Sequence, residues 1–396
     1  MSADMNRLYQ ARLDRYVAAM RNERPDRVPI RPFIAEFAAK YAGYSCQEAT
    51  YRVDKALRAT RKCAKDFDWD AVPATLISPW SGLVDAVGLK LYTRPGIDTP
   101  PDRTTQYVEP RDEAEAYMRA DEYDAFCADP TQFLAMVWMP RVCRDISEAA
   151  PGSYRSILAW LRGGMGLLAP PYAEQGRLLR NECGTPLAMM GMLKAPFDII
   201  ADKLRGFRQI SADIHRQPEK VIAACEAIKP HALFIALQGA DPERKLPIPL
   251  WLHRGCIPFL SYQAYEKFYW PTLKALILEL WERGHQVLFY AEGDWNHNLQ
   301  YTAELPDKSI IYHVDRGDIF EVHRLLGQKF CLSGGIPNDL LAFGTVDEIR
   351  TYCRGVIDGV ARDGGYVMDA GAIIQHDAKI ENVQAMTDLT LEYGVY

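Results

Sequence analysis

From Thr185 onward the chain alternates short β-prone runs with helical stretches, and this alternation limits the fold more than any other feature of the sequence. Strand-like runs fall at 187–193, 248–253, 287–291, 309–314, 329–333 and 366–369, bounded by turn residues. Helical patterns at 218–228, 262–283, 296–304, 317–326 and 345–363 lie between them. Two earlier runs, 28–34 and 71–77, raise the count to eight. Strands separated by helices pair in parallel. Eight such units predict an α/β fold of the TIM-type (β/α)8 barrel class. An open doubly wound sheet is the alternative, but no GxGxxG opens a helix after the first strand. There are no internal repeats.

Around this frame, residues 5–24 read as a helix, giving an N-terminal helical extension over 1–24. Ser45 to Asp66 is helical, with Ser45 and Glu48 spaced as a capping box. Residues 94–112 are rich in Pro, Gly and polar side chains and read as a lid or docking excursion. Asp112 to Phe126 reads as an acidic helical segment, and Asp129-Pro130 opens another that runs to about 149. The whole of 1–396 is expected to form a single barrel domain. Its net charge of −6 argues against a phosphate-backbone binder, because such proteins usually carry a basic face. No apolar run reaches the roughly 18 residues of a membrane span. The best candidate, Leu273 to Trp281, is interrupted by Lys274 and Glu279. The nine cysteines form no CxxC and the N-terminus lacks an apolar leader, so reduced thiols in a cytoplasmic protein are expected.

In a barrel of this class, chemistry sits at the C-terminal ends of the strands. His253 and Arg254 follow one strand end. Glu292, Gly293 and Asp294 follow the next, and His313 and Asp315 the one after. Glu292 and His313 end successive strands, and a carboxylate with an imidazole can hold a catalytic zinc if a third ligand joins them. His376 is the expected third ligand, with Asp294, Asp315 and Cys331 as alternatives; a hydrogen-bonded polar pair is the bland reading. Glu292, Asp294, His313 and Asp315 are the catalytic candidates. Loop aromatics such as Trp80 and Trp295, with Tyr290 and His253, are the candidates for contact with substrate, although single aromatics more often pack than bind. The Gly163-Gly164-Met165-Gly166 run lacks the Lys-Ser/Thr of a phosphate loop and reads as a turn.

The segment Gly334-Gly335-Ile336-Pro337-Asn338-Asp339-Leu340-Leu341, running on to Gly344, resembles a signature of the uroporphyrinogen decarboxylase superfamily. Gly364-Gly365-Tyr366-Val367-Met368, Gly371 and Glu381-Asn382-Val383 are similar to its closing motif. Leu260-Ser261 through Phe268, Pro271 and Lys274, and Asp85-Ala86-Val87-Gly88, resemble two further motifs. The resemblance covers roughly 25–396 and implies a TIM-type barrel.

The superfamily's porphyrinogen decarboxylases carry an early Arg-Gln-Ala-Gly-Arg-Tyr motif and a Ser-Asp pair. Here those places read Arg31-Pro32-Phe33-Ile34-Ala35-Glu36 and Ser78-Pro79. The cations for four acidic arms are lacking, which speaks against that reaction. The thiol-methylating corrinoid enzymes hold zinc through His-x-Cys and a later cysteine, where this chain has Tyr290, Glu292 and Ala372. The resemblance therefore points to the substrate-side methyltransferase of anaerobic O-demethylase systems. It implies methyl transfer from an aryl methyl ether to the Co(I) corrinoid (cobalamin) of a partner corrinoid-binding protein, with zinc at Glu292 and His313 polarising the ether oxygen. A homodimer is a further expectation. The rival readings are transfer from a methylcorrinoid to a thiol, and a decarboxylase-like barrel that binds without catalysis.

Overall fold

The computed structural model describes residues 3–77, 81–146, 154–155, 158, 161 and 169–396. Six parallel strands form one sheet in sequential order. They are β1 (Leu193–Lys194), β2 (Ile248–Leu252), β3 (Val287–Ala291), β4 (Ile310–Val314), β5 (Cys331–Gly334) and β6 (Tyr366–Val367). Single bridges carry the ring onward. Ile30 pairs with Met368 and Ile34 with Ile374, both parallel, and Val72 pairs with Leu187. Asp70 N–H donates to Ile30 O at 2.8 Å and joins the two early segments to each other.

The expected runs at 28–34 and 71–77 thus take their barrel places as bridged extended chain rather than regular strand. Pro29, Pro32 and Pro73 explain this, because proline has no N–H to give to a ladder. Proline and glycine also shorten the run at 187–193 to Leu193–Lys194, since Pro186 and Gly191 bracket its start and middle.

Helix α1 (Ala3–Met20) lies under the ring at its N-terminal end. Leu13, Tyr16, Ala19 and Met20 of α1 pack against Ala71, Ala188, Leu288, Ile311, Cys331 and Val367, the lower layers of the barrel interior. The helix stops at Met20, short of the expected 24, because Asn22 takes a left-handed φ of 61° ahead of Pro25. Charge fastens this plug. Arg15 and Arg27 both reach the fully buried Asp70, at 2.5 and 2.9 Å.

The Ser45–Glu48 capping box is present, and the helical stretch behind it is split into Cys46–Tyr51 and Val53–Asp66. The acidic segment from Asp112 is not a helix until Tyr123, because the Asp112 carboxylate accepts from the N–H groups of Ala114 and Glu115 and makes a turn. Asp129 caps Gln132 as the sequence suggests, and the helical run it opens, through Pro130–Phe133 and Leu134–Trp138, ends at Val142. Trp80 and the Gly163–Gly166 run lie outside the described residues.

Pro218–Gln238 is the one helix among the described residues with the length and hydropathy of a membrane span. It packs into the main hydrophobic core through Val221, Ala224, Cys225, Ile228, Ala232 and Ala236.

The Asp70 cluster predicts a measurable cost. Replacing Asp70 with Ala takes the acceptor from the buried Ile30 N–H and one partner each from Arg15 and Arg27, which keep Asp26 and Asp68; urea denaturation should report a loss of about 1–3 kcal/mol, against less than about 1 kcal/mol for the exposed Asp4→Ala.

Candidate functional site

Parallel pairing sets the site. Trp251 pairs with Tyr290, Tyr290 with His313 and His313 with Ser333, so these four occupy one level of the barrel. Alternation then carries His253, Glu292 and Asp315 to the same face two residues farther along, at the mouth. Lys194 sits level with Trp251 at the end of β1.

The lower level is aromatic. Tyr290 stacks on His313 with ring centroids 4.3 Å apart and an interplanar angle of 14°. Trp251 lies 4.7 Å from Tyr290, and Phe33 lies 5.6 Å from Tyr290 and 5.7 Å from His313. Trp251 is only half-buried, whereas Tyr290 and Phe33 are buried.

His313 is fully buried and both of its ring nitrogens are engaged. Nδ1 is 2.9 Å from Ser333 Oγ, and Nε2 is 2.8 Å from Gly371 O. A carbonyl can only accept, so Nε2 carries the proton and Nδ1 accepts from the serine hydroxyl. Burial, with the nearby Arg31 charge, holds this imidazole well below its ordinary pKa. The backbone bends to permit this. Gly334 has a φ of 82°, and a Cβ there would stand 2.5 Å from Val314 O and 2.9 Å from the His313 ring.

Beneath lies an ion pair closed off from solvent, with Arg31 Nη1 3.1 Å from Asp369 Oδ2. The Arg31 guanidinium also covers the Phe33 ring at 3.8 Å. Burial pushes the Asp369 carboxyl up to about 7 against the pull of Arg31.

The mouth is polar. His253 Nδ1 is 2.8 Å from Asp202 Oδ2 and 2.8 Å from Lys194 Nζ, while Nε2 is 3.3 Å from Glu292 Oε2. Lys194 Nζ also meets Asp202 Oδ2 at 2.8 Å. Burial raises the Asp202 carboxyl, but the His253 hydrogen bond and the charges of Lys194 and Arg254 outweigh it and keep Asp202 ionised below the usual range. Asp198 fixes the turn after β2 by accepting from the N–H groups of His253 and Arg254, both at 2.9 Å, and from the Tyr269 hydroxyl at 2.7 Å. Asp315 accepts the Gly293 N–H at 2.7 Å. Burial pushes it up to about 6, with the Glu292 charge adding to the effect and the Gly293 bond opposing it.

The structure therefore brings Glu292, His253 and Asp315 to one mouth and sets the other candidates apart. Asp294 is exposed, and its carboxylate accepts the Asn296 N–H in a turn. Trp295 is buried among Tyr265, Tyr269 and Phe289, with Nε1 donating to Glu292 O, so it is core rather than substrate lining. His376 follows the segment bridged to Ile34, beyond β6 and three places along the sheet from β3. A zinc set of Glu292, His313 and His376 does not fit. His313 offers no lone pair, since one nitrogen bears a proton and the other accepts one. Among the described residues no three His, Cys, Asp or Glu side chains are gathered to hold a metal.

Lys194 and Asp202 were missed by sequence reasoning. Lys194 directly follows the 187–193 run, so the strand-end rule that selects His253 would have selected it too. Asp202 carries no such signal, because it arrives from a π-helical turn, Ile199–Arg205.

Comparison with known proteins agrees with the fold. The sequence profile of the family described as uroporphyrinogen decarboxylase (URO-D) matches residues 11–127 and 168–393. The chain belongs to the uroporphyrinogen decarboxylase family. No curated sequence matches it. Among solved structures it is similar to a methyltransferase from Methanosarcina mazei, at 16% identity and a TM-score of 0.63, over 96% of this chain and 98% of that one. That likeness concerns the barrel.

If His313 is a packed hydrogen-bonding group, a chelator should leave the wild-type melting temperature unchanged. His313→Ala should cost about 3 kcal/mol in denaturation, with or without added zinc.

Proposed function

We propose that this chain is a methyltransferase that takes the methyl group of an aryl methyl ether for the Co(I) corrinoid of a partner protein. The observation that carries this reading is the acid–base rim of Lys194, His253, Glu292 and Asp315 above the aromatic level of Trp251, Tyr290 and Phe33. A flat aromatic ring can lie against the half-buried Trp251 while its ether oxygen faces the rim. The kinship in fold with a methyltransferase of Methanosarcina mazei supports the same class of reaction.

The corrinoid, when docked, supplies the nucleophile for the methyl carbon. This chain's residues deal with the oxygen. As the carbon–oxygen bond breaks, its electron pair stays on oxygen, and a phenolate is a poor leaving group unless a proton reaches it. Asp315, pushed up to about 6, holds such a proton at mildly acidic pH. Glu292 and His253 hold the substrate's polar edge, and His253 is itself held by Asp202 and Lys194. With His313 engaged on both sides, this reading assigns the polarisation of the ether to proton donation and routes nothing through zinc. Methylation of a thiol fits less well, because that chemistry favours thiolate-bound zinc, and the buried Cys256 near the mouth has its thiol pushed up to about 12 by burial.

The test is a demethylation assay with methoxyphenols and a reduced corrinoid protein. Asp315 is the acid only while protonated, so the rate should fall as pH rises through about 6. Asp315→Asn should lower the rate by about a hundredfold or more and abolish that limb. An unchanged limb in Asp315→Asn would remove Asp315 from the role. Absence of methyl transfer from every methoxyarene would sink the activity itself.

A further inference from the structure

We propose that Glu109 and Arg254 are positioning residues that hold a proton on His253 Nδ1 through Asp202, tying the 94–112 excursion to the mouth of the barrel. The inference rests on the reading of His253 as part of the site, and its geometry stands apart from any substrate.

The line of contacts is continuous. Glu109, near the end of the excursion, forms an ion pair with Arg254 Nη2. Arg254 Nε donates to Asp202 Oδ1 at 2.7 Å, and the other oxygen of Asp202 faces His253 Nδ1 at 2.8 Å. Arg254 is mostly buried and its guanidinium lies against the rings of Phe207 and Phe259, at 5.3 and 4.8 Å from their centroids. Its guanidinium therefore has little room to turn. Glu109 is fixed from a second side, since Oε2 accepts the Phe207 N–H at 2.9 Å.

The excursion is also seated on the turn that carries Asp202. Lys203 Nζ donates to the Tyr92 hydroxyl at 2.8 Å and sits 4.6 Å over the Tyr107 ring. Tyr92 and Tyr107 pair across the base of the excursion in an antiparallel bridge.

The consequence is chemical. Both oxygens of Asp202 are committed, one to Arg254 and one to the His253–Lys194 side. With Arg254 held by Glu109, Asp202 keeps Oδ2 aimed at Nδ1. An acceptor there retains a proton on Nδ1, while the Glu292 carboxylate, 3.3 Å from Nε2, draws a proton to the other nitrogen. Lys194, which also faces Nδ1, favours the opposite tautomer by donating to it. Release of Asp202 therefore tips the balance toward a proton on Nε2. Arg254 and Glu109 touch no substrate in this scheme; they act through Asp202.

The readout is the nitrogen-15 NMR spectrum of the purified chain at pH 8, with the His253 resonances assigned by their loss in His253→Gln. Wild type should show His253 mainly protonated at Nδ1. Glu109→Gln and Arg254→Met should each lower the Nδ1–H fraction about threefold. Lys203→Met loosens the excursion without touching the ion-pair line and should leave the ratio as in wild type. Wild-type ratios in both Glu109→Gln and Arg254→Met would overturn the proposal, as would an equal shift in Lys203→Met, which would assign the effect to packing. Glu109 is partly exposed, so its variant keeps the test available if Arg254→Met does not fold. No substrate enters the measurement, so a failed demethylation assay and a failed tautomer shift are separate results.

Discussion

Register in the parallel sheet is the constraint on which the rest of this structure depends. Once Tyr290 is opposite both Trp251 and His313, the side chains two residues farther along each strand must emerge together at the mouth. A slip of one residue in β3 would place Leu288, Tyr290 and Glu292 outside, and Phe289 and Ala291 within. Phe289 instead packs against Tyr312 and Trp295 on the outer side, at 5.3 and 5.7 Å, where the surrounding helices cover it. Core packing on the outside of the barrel and the polar mouth on its inside are thus set by the same pairing.

The interior is less apolar than a barrel of this size requires. Arg31, Asp369, His313 and Ser333 are all buried there, and a buried charge is costly unless paired. Arg31 meets Asp369 and the face of Phe33; Asp369 also accepts the Phe33 and Ala370 N–H groups at 3.1 and 2.7 Å. His313 spans from β5 to the loop after β6 through Ser333 and Gly371. These contacts join the last strands to the first segment, where regular ladder bonds are scarce because Pro29 and Pro32 cannot donate. Polar side chains therefore secure the ring at the place where its backbone is least able to do so.

Much of the fold could be read from the chain, because strand and helix periods are local properties. Val287 to Ala291 was read to the residue, and Ile310 to Val314 within one. The strand-end rule also led to Glu292, His253 and Asp315. The role of His313 could not be read. Its position in β4 puts it on the inner face with Ile311, but its partners come from β5 and from residue 371, and nothing local to 313 signals either contact. Two histidine-carboxylate pairs were possible at the mouth. The sequence order of Glu292 and His313 suggested one, and three-dimensional placement selected the other, with Glu292 3.3 Å from His253. Asp202 was hidden for a similar reason: a π-helical turn changes the face that each residue presents, so helical spacing does not predict its direction.

The acid–base rim proposed above needs side chains whose own positions are already settled, because a group free to turn loses much of its advantage in rate. Here the settling is done by residues from outside the sheet. Asp198 holds the backbone of His253 and Arg254, and Asp202 holds their side chains. Both aspartates belong to the run that leaves β1, from Pro196–Asp198 into Ile199–Arg205. That run is in turn clasped by the excursion and the residues flanking it, through Lys203 with Tyr92 and Tyr107 and through Arg205 with Glu113. The strand ends alone define where the side chains start. The helix after β1 and the excursion above it define where they finish, so the 94–112 segment bears on the mouth even where it touches none of the residues that would meet a substrate.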